Sequence, residues 1–320
     1  MSLKIAIQMD PIERVDVHAD TTFDLALEAA GRGAEIWVYG PDQLRLTTDL
    51  KSGRPRIEAR AQKINRIERD QENAVDLAAP SPIDLTEMDV VLIRQDPPFN
   101  MAYITAAQLL EQLPERILVL NNPRSIRDAP EKLFVLNFPD LTPPTLITRD
   151  PEAMAEFRKE HGDVIVKPLY GNGGAGVFKI TGDDGNFNSL IEMFTEVFEE
   201  PSIVQKFLPA VTKGDKRIIL LDGEAVGAIN RVPAAGETRS NMHVGGRAEA
   251  VEMTARDQQI CDRIGPILSE KGLIFVGIDV IGDYLTEINV TSPTGVQEVR
   301  RFGGADISAL LWDWVEGRRA

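Results

Sequence analysis

Three clusters of residues in this 320-residue chain have the types and spacing to do chemistry. The first is the loop Gly171-Asn172-Gly173-Gly174-Ala175-Gly176, which lies just after Lys167. It matches G-x-G-x-x-G, but a dinucleotide fold needs a helix after such a loop, and residues 177–180 (VFKI) have strand character. The loop therefore joins two strands. Glycine lets backbone N–H groups approach anionic oxygens closely, so the loop is either a phosphate cradle or a plain hairpin. Lys167 lies in the apolar run VIVKP, where an unpaired ammonium costs several kcal/mol. It needs an anion, which a phosphate or a buried carboxylate would supply.

The second cluster is Asp279, Glu287 and Asn289 in GIDVIGDYLTEINV, which reads as a hairpin. Glu287 and Asn289 are two apart on one strand and share a face. A three-residue loop at 282–284 would set Asp279 opposite Glu287. A two-residue loop would set it opposite Thr286 and break the convergence. Two adjacent carboxylates repel unless a cation lies between them, and magnesium takes such oxygens together with phosphate and water. The alternative is a solvated strand face. The third cluster is cationic. Residues 201–247 hold seven Lys and Arg against four Asp and Glu, inside a chain of net charge −15. Arg217 and Arg231 flank apolar runs, where arginine suits bidentate capture of carboxylate or phosphate. Residues 232–247, rich in Gly, Ala and polar side chains and carrying Arg239, Gly245, Gly246 and Arg247, read as a lid over a site.

No Ser-His-Asp set, CxxC pair or G-x-x-x-x-G-K-[ST] loop is present. The inventory suits phosphoryl transfer, where positioning and charge neutralisation do most of the work.

The elements that position these clusters read as α/β. Residues 4–9, 23–32 and 35–39 make a β-α-β start and predict a parallel sheet, continued by strands at 90–93 and 117–120. Residues 41–82 are polar throughout and read as peripheral. The turn at 121–123 marks a boundary, giving an N-terminal α/β substrate domain (1–122), a central unit with the glycine loop (123–200) and a C-terminal unit with the magnesium face and lid (201–320). Helices are expected at 131–137, 151–161, 187–198, 254–271 and 307–314. The acidic balance disfavours nucleic acid and anionic membranes as partners. The lone Cys261 excludes an intrachain disulfide, fits a reducing cytoplasm and reads as a buried small hydrophobe. His18, His161 and His243 lack metal-ligand spacing, and residues 1–9 show neither a signal peptide nor an anchor.

The order Lys132, VIVKPLYGNGGAGV, QKFLP, GDKRIIL and GIDVIGDYLTEINVTSPTG resembles the ATP-grasp superfamily. With KIAIQMDPIERVDVHADTTF, VLIRQDPPFN and NNPRSIRDAPEKL, the chain is similar more narrowly to the prokaryotic glutathione synthetases, whose glycine loop has Met where Asn172 stands. The resemblance implies an ATP-grasp fold with an N-terminal parallel-sheet domain, ATP as co-substrate and Mg2+ or Mn2+ as cofactor. It implies that Lys132 and Lys167 hold the α- and β-phosphates, that Gly171, Gly173, Gly174 and Gly176 close over them, and that backbone groups of Gln205, Lys206, Phe207 and Leu208 read adenine. Asp279, Glu287 and Asn289 would hold the metal. Arg217 and Arg231 would stabilise the transferred phosphoryl group, and the lid would shield an acyl phosphate from water. The implied reaction joins γ-glutamylcysteine to glycine in a homotetramer. Asp10, Asp16, Asp20 and Arg94 would contact substrate, or cap turns. Two other readings stand beside it. One is a different ATP-grasp carboxylate–amine ligase acting on amino acids or a protein end; the other is a non-catalytic nucleotide-binding regulator.

Overall fold

The computed structural model describes residues 2–49, 53–71, 73–171, 173–234, 236–237, 239–240 and 245–318. Asn172 and several positions of the expected lid, His243 among them, lie outside the described residues. β1 (Lys4–Gln8), α1 (Thr21–Gly31) and β2 (Glu35–Tyr39) form the parallel β-α-β unit that short apolar runs flanking an amphipathic helix dictate. Asp20 caps α1 by accepting from Phe23 N at 2.6 Å.

Residues 41–82 are not peripheral. They supply β3 (Leu44–Asp49), β4 (Arg54–Ile67), β5 (Val75–Leu77) and β6 (Ser81–Asp84). β4 pairs with β2, and the other three pair with β4. Ile57, Ala59 and Ala61 are buried between the charged Arg56, Glu58 and Arg60. That is a period-two strand pattern, but two of its three apolar members are alanine, so polarity masks it. β7 (Val90–Ile93), α2 (Met101–Leu110) and β8 (Leu118–Leu120) complete the sheet in the order β3-β4-β2-β1-β7-β8. The order reverses between β1 and β7, and an open parallel sheet binds ligands at the carboxyl ends of its strands at such a point.

After α3 (Pro123–Arg127) and α4 (Glu131–Phe134) comes a second sheet of β9 (Thr145–Thr148), β10 (Val164–Pro168), β11 (Phe178–Ile180) and β12 (Ser202–Lys206), ordered β11-β10-β12-β9. α5 (Pro151–His161) and α6 (Phe187–Val197) cover it, burying Met154, Ile191 and Phe194 against Val164, Val166 and Val204. The sheet runs past residue 200, so the unit expected to end there includes β12 in its pairing.

The third sheet is antiparallel. It comprises β13 (Asp215–Leu221), β14 (Glu224–Val232), β15 (Arg247–Ala250), β16 (Phe275–Ile281) and β17 (Tyr284–Asn289), ordered β15-β14-β13-β16-β17. α7 (Ala255–Glu270) starts at a Thr254–Asp257 capping box and lays Ile260, Cys261, Ile264 and Leu268 into the core. Burial pushes the Cys261 thiol up to about 12, as suits a packing residue. α8 (Val296–Arg301) and α9 (Ile307–Gly317) close the chain against α1.

Asn121 ties the first sheet to the third. Its Nδ2 donates to the Phe275 and Val290 carbonyls at 2.8 Å each, and its Oδ1 accepts from Ile274 N at 2.8 Å and Phe275 N at 2.7 Å. Asn121→Ala leaves those buried backbone groups unpaired and is expected to cost about 3 kcal/mol. A urea titration checks this; an unchanged midpoint would show the bridge to be energetically idle.

Candidate active site

The β16–β17 hairpin sets the site. Its turn has two residues, Gly282 and Asp283, with Ile281 opposite Tyr284 and Val280 opposite Leu285. That register alone would place Asp279 across from Thr286. A bulge at Thr286 absorbs one residue, and Asp279 faces Glu287 after all. Thr286 Oγ1 pins the bulge by donating to the Asp279 carbonyl at 3.1 Å. Pairing with β13 sets Arg217 beside Asp279, and β13 pairs with β14 so that Asp215 faces Arg231. Four strands thus bring these charges onto one face, with opposite signs paired across β14–β13 and β13–β16 and two carboxylates side by side across β16–β17.

Arg217 grips Asp279 with Nε at 2.6 Å and Nη2 at 3.1 Å. Arg231 Nη2 bridges Asp215 Oδ2 at 2.6 Å and Asp279 Oδ1 at 2.9 Å. Burial opposes ionisation of Asp279, but Arg217 and Arg231 outweigh it and hold the carboxyl well below its usual range. For Asp215 burial wins, helped by repulsion from Asp279, and pushes the carboxyl up to about 6 despite Arg231. Glu287 Oε1 takes Lys167 Nζ at 3.2 Å and Lys132 Nζ at 3.7 Å. Burial again opposes, and the two lysines keep the Glu287 carboxyl low. The anion that Lys167 requires is therefore Glu287 in this structure. Lys132 Nζ also donates to the Gly171 carbonyl at 2.5 Å, tying α4 to the glycine loop.

All these groups line one cleft of about 240 Å³ with Gly171, Gly173 and Gly174. Gly176 lies just beyond, with φ +69° and a position where a Cβ would sit 2.9 Å from Pro168 Cγ. Gly176→Ala must distort the loop, and ATP affinity is expected to fall about tenfold. Calorimetric titration with a non-hydrolysable ATP analogue checks it; unchanged affinity would mean the loop conformation is immaterial to the nucleotide.

Gln205, Lys206, Phe207 and Leu208 form one wall with the apolar Ile165 and Val211. The N–H groups of Lys206 and Phe207 are committed to the Pro144 and Asp163 carbonyls at 3.0 and 2.9 Å. Gln205 Nε2 donates to Thr145 Oγ1 at 2.9 Å. In the segment expected to form a lid, Arg239 Nη1 reaches the Gly174 carbonyl at 3.4 Å, and Ser240 Oγ donates to Asp215 Oδ2 at 2.8 Å. Gly245, Gly246 and Arg247 are not brought to the cleft; Arg247 lies on the edge strand β15, exposed and paired with Glu249. Asp16 bonds locally, accepting from His18 N, whereas Asp10 accepts from Asp96 N in the segment after β7, and Asp96 lines the cleft. Asp20 and Arg94 lie together at the β1/β7 crevice.

Glu131, Asp215 and Ser240 also belong to the cleft and escaped the sequence reading. Asp215 had a usable signal, since it stands two before Arg217 on one strand and so shares its face. Glu131 was hidden beside Lys132; burial pushes its carboxyl up, and Thr291 Oγ1 donates to it at 2.9 Å.

Six cations (Lys132, Lys167, Lys206, Arg217, Arg231, Arg239) and five carboxylates (Asp96, Glu131, Asp215, Asp279, Glu287) line the cleft among the described residues. A nucleoside triphosphate adds about four negative charges to this balance and needs accompanying cations. The donor set fits magnesium: Asp279 and Glu287 present hard carboxylate oxygens across one strand pair. The unpartnered Nδ2 of Asn289 leaves that amide free to turn its oxygen toward them.

Two family models match the chain: "Prokaryotic glutathione synthetase, N-terminal domain" over residues 3–127 and "Prokaryotic glutathione synthetase, ATP-grasp domain" over 131–304. Among curated proteins it is 57% identical to the glutathione synthetase of Mesorhizobium japonicum, covering 100% of both chains. It is 54% identical to that of Agrobacterium fabrum, covering 98% of this chain and 97% of the other. Among solved structures, the ATP-grasp ligase PsnB complexed with a minimal precursor superimposes with TM-score 0.65 at 19% identity, covering 100% of this chain and 99% of that one. That likeness establishes the ATP-grasp fold.

Proposed function

From the premise that the chain belongs to the prokaryotic glutathione synthetase family, we propose how its residues divide the work of an ATP-dependent ligase that forms glutathione. The observation that carries the reading is the convergence of Lys132, Lys167, Arg217 and Arg231 with Asp279 and Glu287 beside a glycine loop. Lys132 and Lys167 bind the α- and β-phosphates, exchanging part of their hold on Glu287 for the nucleotide. Gly171–Gly176 supplies backbone N–H groups to the phosphate oxygens. Leu208, whose N–H has no partner among the described residues, meets the adenine edge. Asp279, Glu287 and Asn289 hold Mg2+ or Mn2+, which neutralises phosphate charge when bound.

The cysteinyl carboxylate of γ-glutamylcysteine attacks the γ-phosphorus of ATP, and ADP leaves. Arg217 and Arg231 stabilise the oxygens of the transferred group. The glycine amine then attacks the acyl carbon, phosphate departs and the amide forms. Arg239 and Ser240 tie residues of the lid to the loop and to Asp215, keeping water from the acyl phosphate.

We place the protein in the cytoplasm, as its single buried cysteine suits a reducing compartment. No helix among the described residues is long and apolar enough to cross a membrane. The homotetramer rests on the family resemblance, and light scattering tests it. The mechanism is tested with γ-glutamylcysteine labelled with ¹⁸O in the cysteinyl carboxylate. One label must appear in inorganic phosphate for each glutathione formed; glutathione with unlabelled phosphate would exclude the acyl phosphate.

A further inference from the structure

Phe99 and Tyr170 have no part in the chemistry above, yet they meet. The buried Phe99 stacks on Tyr170 with ring centroids 6.0 Å apart and planes 28° from parallel, and it packs against Tyr103 at 5.2 Å. These spacings are those of favourable offset ring pairs. Tyr170 stands immediately before Gly171, where the glycine loop begins. The contact therefore joins the α/β unit of the first sheet to the base of a loop carried by the second.

The two sides of the contact differ in stiffness. Phe99 is held by its neighbours. Pro97 and Pro98 fix their own φ and restrict the residues before them. Asp10 Oδ2 accepts from Asp96 N at 3.0 Å, and Asn100 Oδ1 caps α2 by accepting from Tyr103 N at 3.1 Å. The loop beyond Tyr170 is the opposite case. Gly173, Gly174 and Gly176 have φ of 63°, 80° and 69°, and glycine has little conformational preference of its own. The place of such a loop must be set at its base. The second sheet has a separate core built on Met154, Val164, Val166 and Phe194, whereas Tyr170 packs on the large core that the first and third sheets share. Polar ties also cross the cleft, from Lys167 to Glu287 and from Lys132 to the Gly171 carbonyl. On the roles proposed above, ATP competes for both lysines. The ring contact is apolar and offers a phosphate nothing to displace.

Asp96 and Pro97 line the same cleft as Gly171, Gly173 and Gly174. They follow the carboxyl end of β7, where an open parallel sheet receives ligands. The loop thus serves the phosphate donor, and the wall of the first sheet serves the acyl acceptor. We infer that Phe99 and Tyr170 are positioning residues for phosphoryl transfer: their stack fixes the base of the glycine loop against the 96–99 wall and so sets the distance between the γ-phosphate and the dipeptide carboxylate. The inference rests on the glutathione reading and adds to it the contact that aligns the two substrates. Loss of alignment lowers rate rather than binding, since each substrate keeps its own contacts.

The test is steady-state kinetics with ATP, magnesium, γ-glutamylcysteine and glycine. Tyr170→Leu should lower kcat about tenfold and leave each KM within about twofold of wild type. Tyr170→Phe, which keeps the ring, should retain wild-type kcat and KM. Phe99→Leu should match Tyr170→Leu, and the double variant should be no slower than either single one, because one contact is lost only once. Tyr170 is half-buried, so its two variants decide the matter even where Phe99→Leu does not fold. Wild-type kcat in Tyr170→Leu would overturn the positioning role, as would a loss confined to KM for ATP. So would a Tyr170→Phe enzyme as slow as Tyr170→Leu, or a double variant about 100-fold down, the product of two independent losses. A wild type that makes no ADP with these substrates would overturn the glutathione reading itself.

Discussion

Glu287→Gln is expected to lower kcat by about 1,000-fold while the protein still unfolds in one cooperative transition. The substitution keeps size and shape and removes only charge. Glu287 Oε1 receives Lys167 at 3.2 Å and Lys132 at 3.7 Å, and it faces Asp279 across the strand pair. Without its charge the two ammonium groups lose the anion that positions them, and the cleft loses one of two hard oxygen donors on that face. On the proposed roles the phosphates of bound ATP would re-engage the lysines, so nucleotide affinity should change far less than turnover. Rapid-quench turnover alongside calorimetric ATP binding separates the two. Turnover within tenfold of wild type would remove Glu287 from the proposed metal site.

Asp279→Asn should have its largest effect on stability. Asp279 is the common partner of Arg217 and Arg231, and Arg217 has no other ion pair among the described residues. Neutralising it leaves a buried guanidinium unpaired, which is expected to cost about 3–5 kcal/mol at neutral pH. The pH dependence has a definite sign. The folded carboxyl lies below its unfolded value because Arg217 and Arg231 outweigh burial. Its stabilising contribution is therefore complete above the unfolded pKa of about 3.9 and is lost as pH falls toward the folded value. The gap between wild type and variant, read by urea unfolding, should be widest at pH 7 and narrow below about pH 4. A constant gap across that range would show the loss to be steric rather than electrostatic.

Much of this was legible because charge in an apolar strand is informative. Lys167 within VIVKP and Asp279 within FVGIDVI had to meet partners, and the strand period fixed which residues shared their face. The hairpin register was not legible in the same way. The turn has two residues, which on pairing rules alone separates Asp279 from Glu287; a bulge whose sequence mark is the single residue Thr286 restores the contact. Sheet strands built on alanine, as in residues 57–61, gave too little hydrophobic contrast to stand out. Arg217 and Arg231 were visible as cations, but their partners depend on which strands adjoin β13, and that is long-range pairing. The proposed phosphate and metal residues would serve any ATP-grasp ligase; the match over residues 3–127 ties the chain to glutathione formation.

The central claim is that one cleft couples ATP cleavage to joining a γ-glutamyl dipeptide and glycine. Its most direct test is a stoichiometric assay of ADP and glutathione with ATP, magnesium, γ-glutamylcysteine and glycine, each substrate omitted in turn. ADP and glutathione should form one to one with all present, and sustained ADP release should cease when either amino-acid substrate is withheld. Steady ADP release that ignores the omission of γ-glutamylcysteine or glycine would contradict the account.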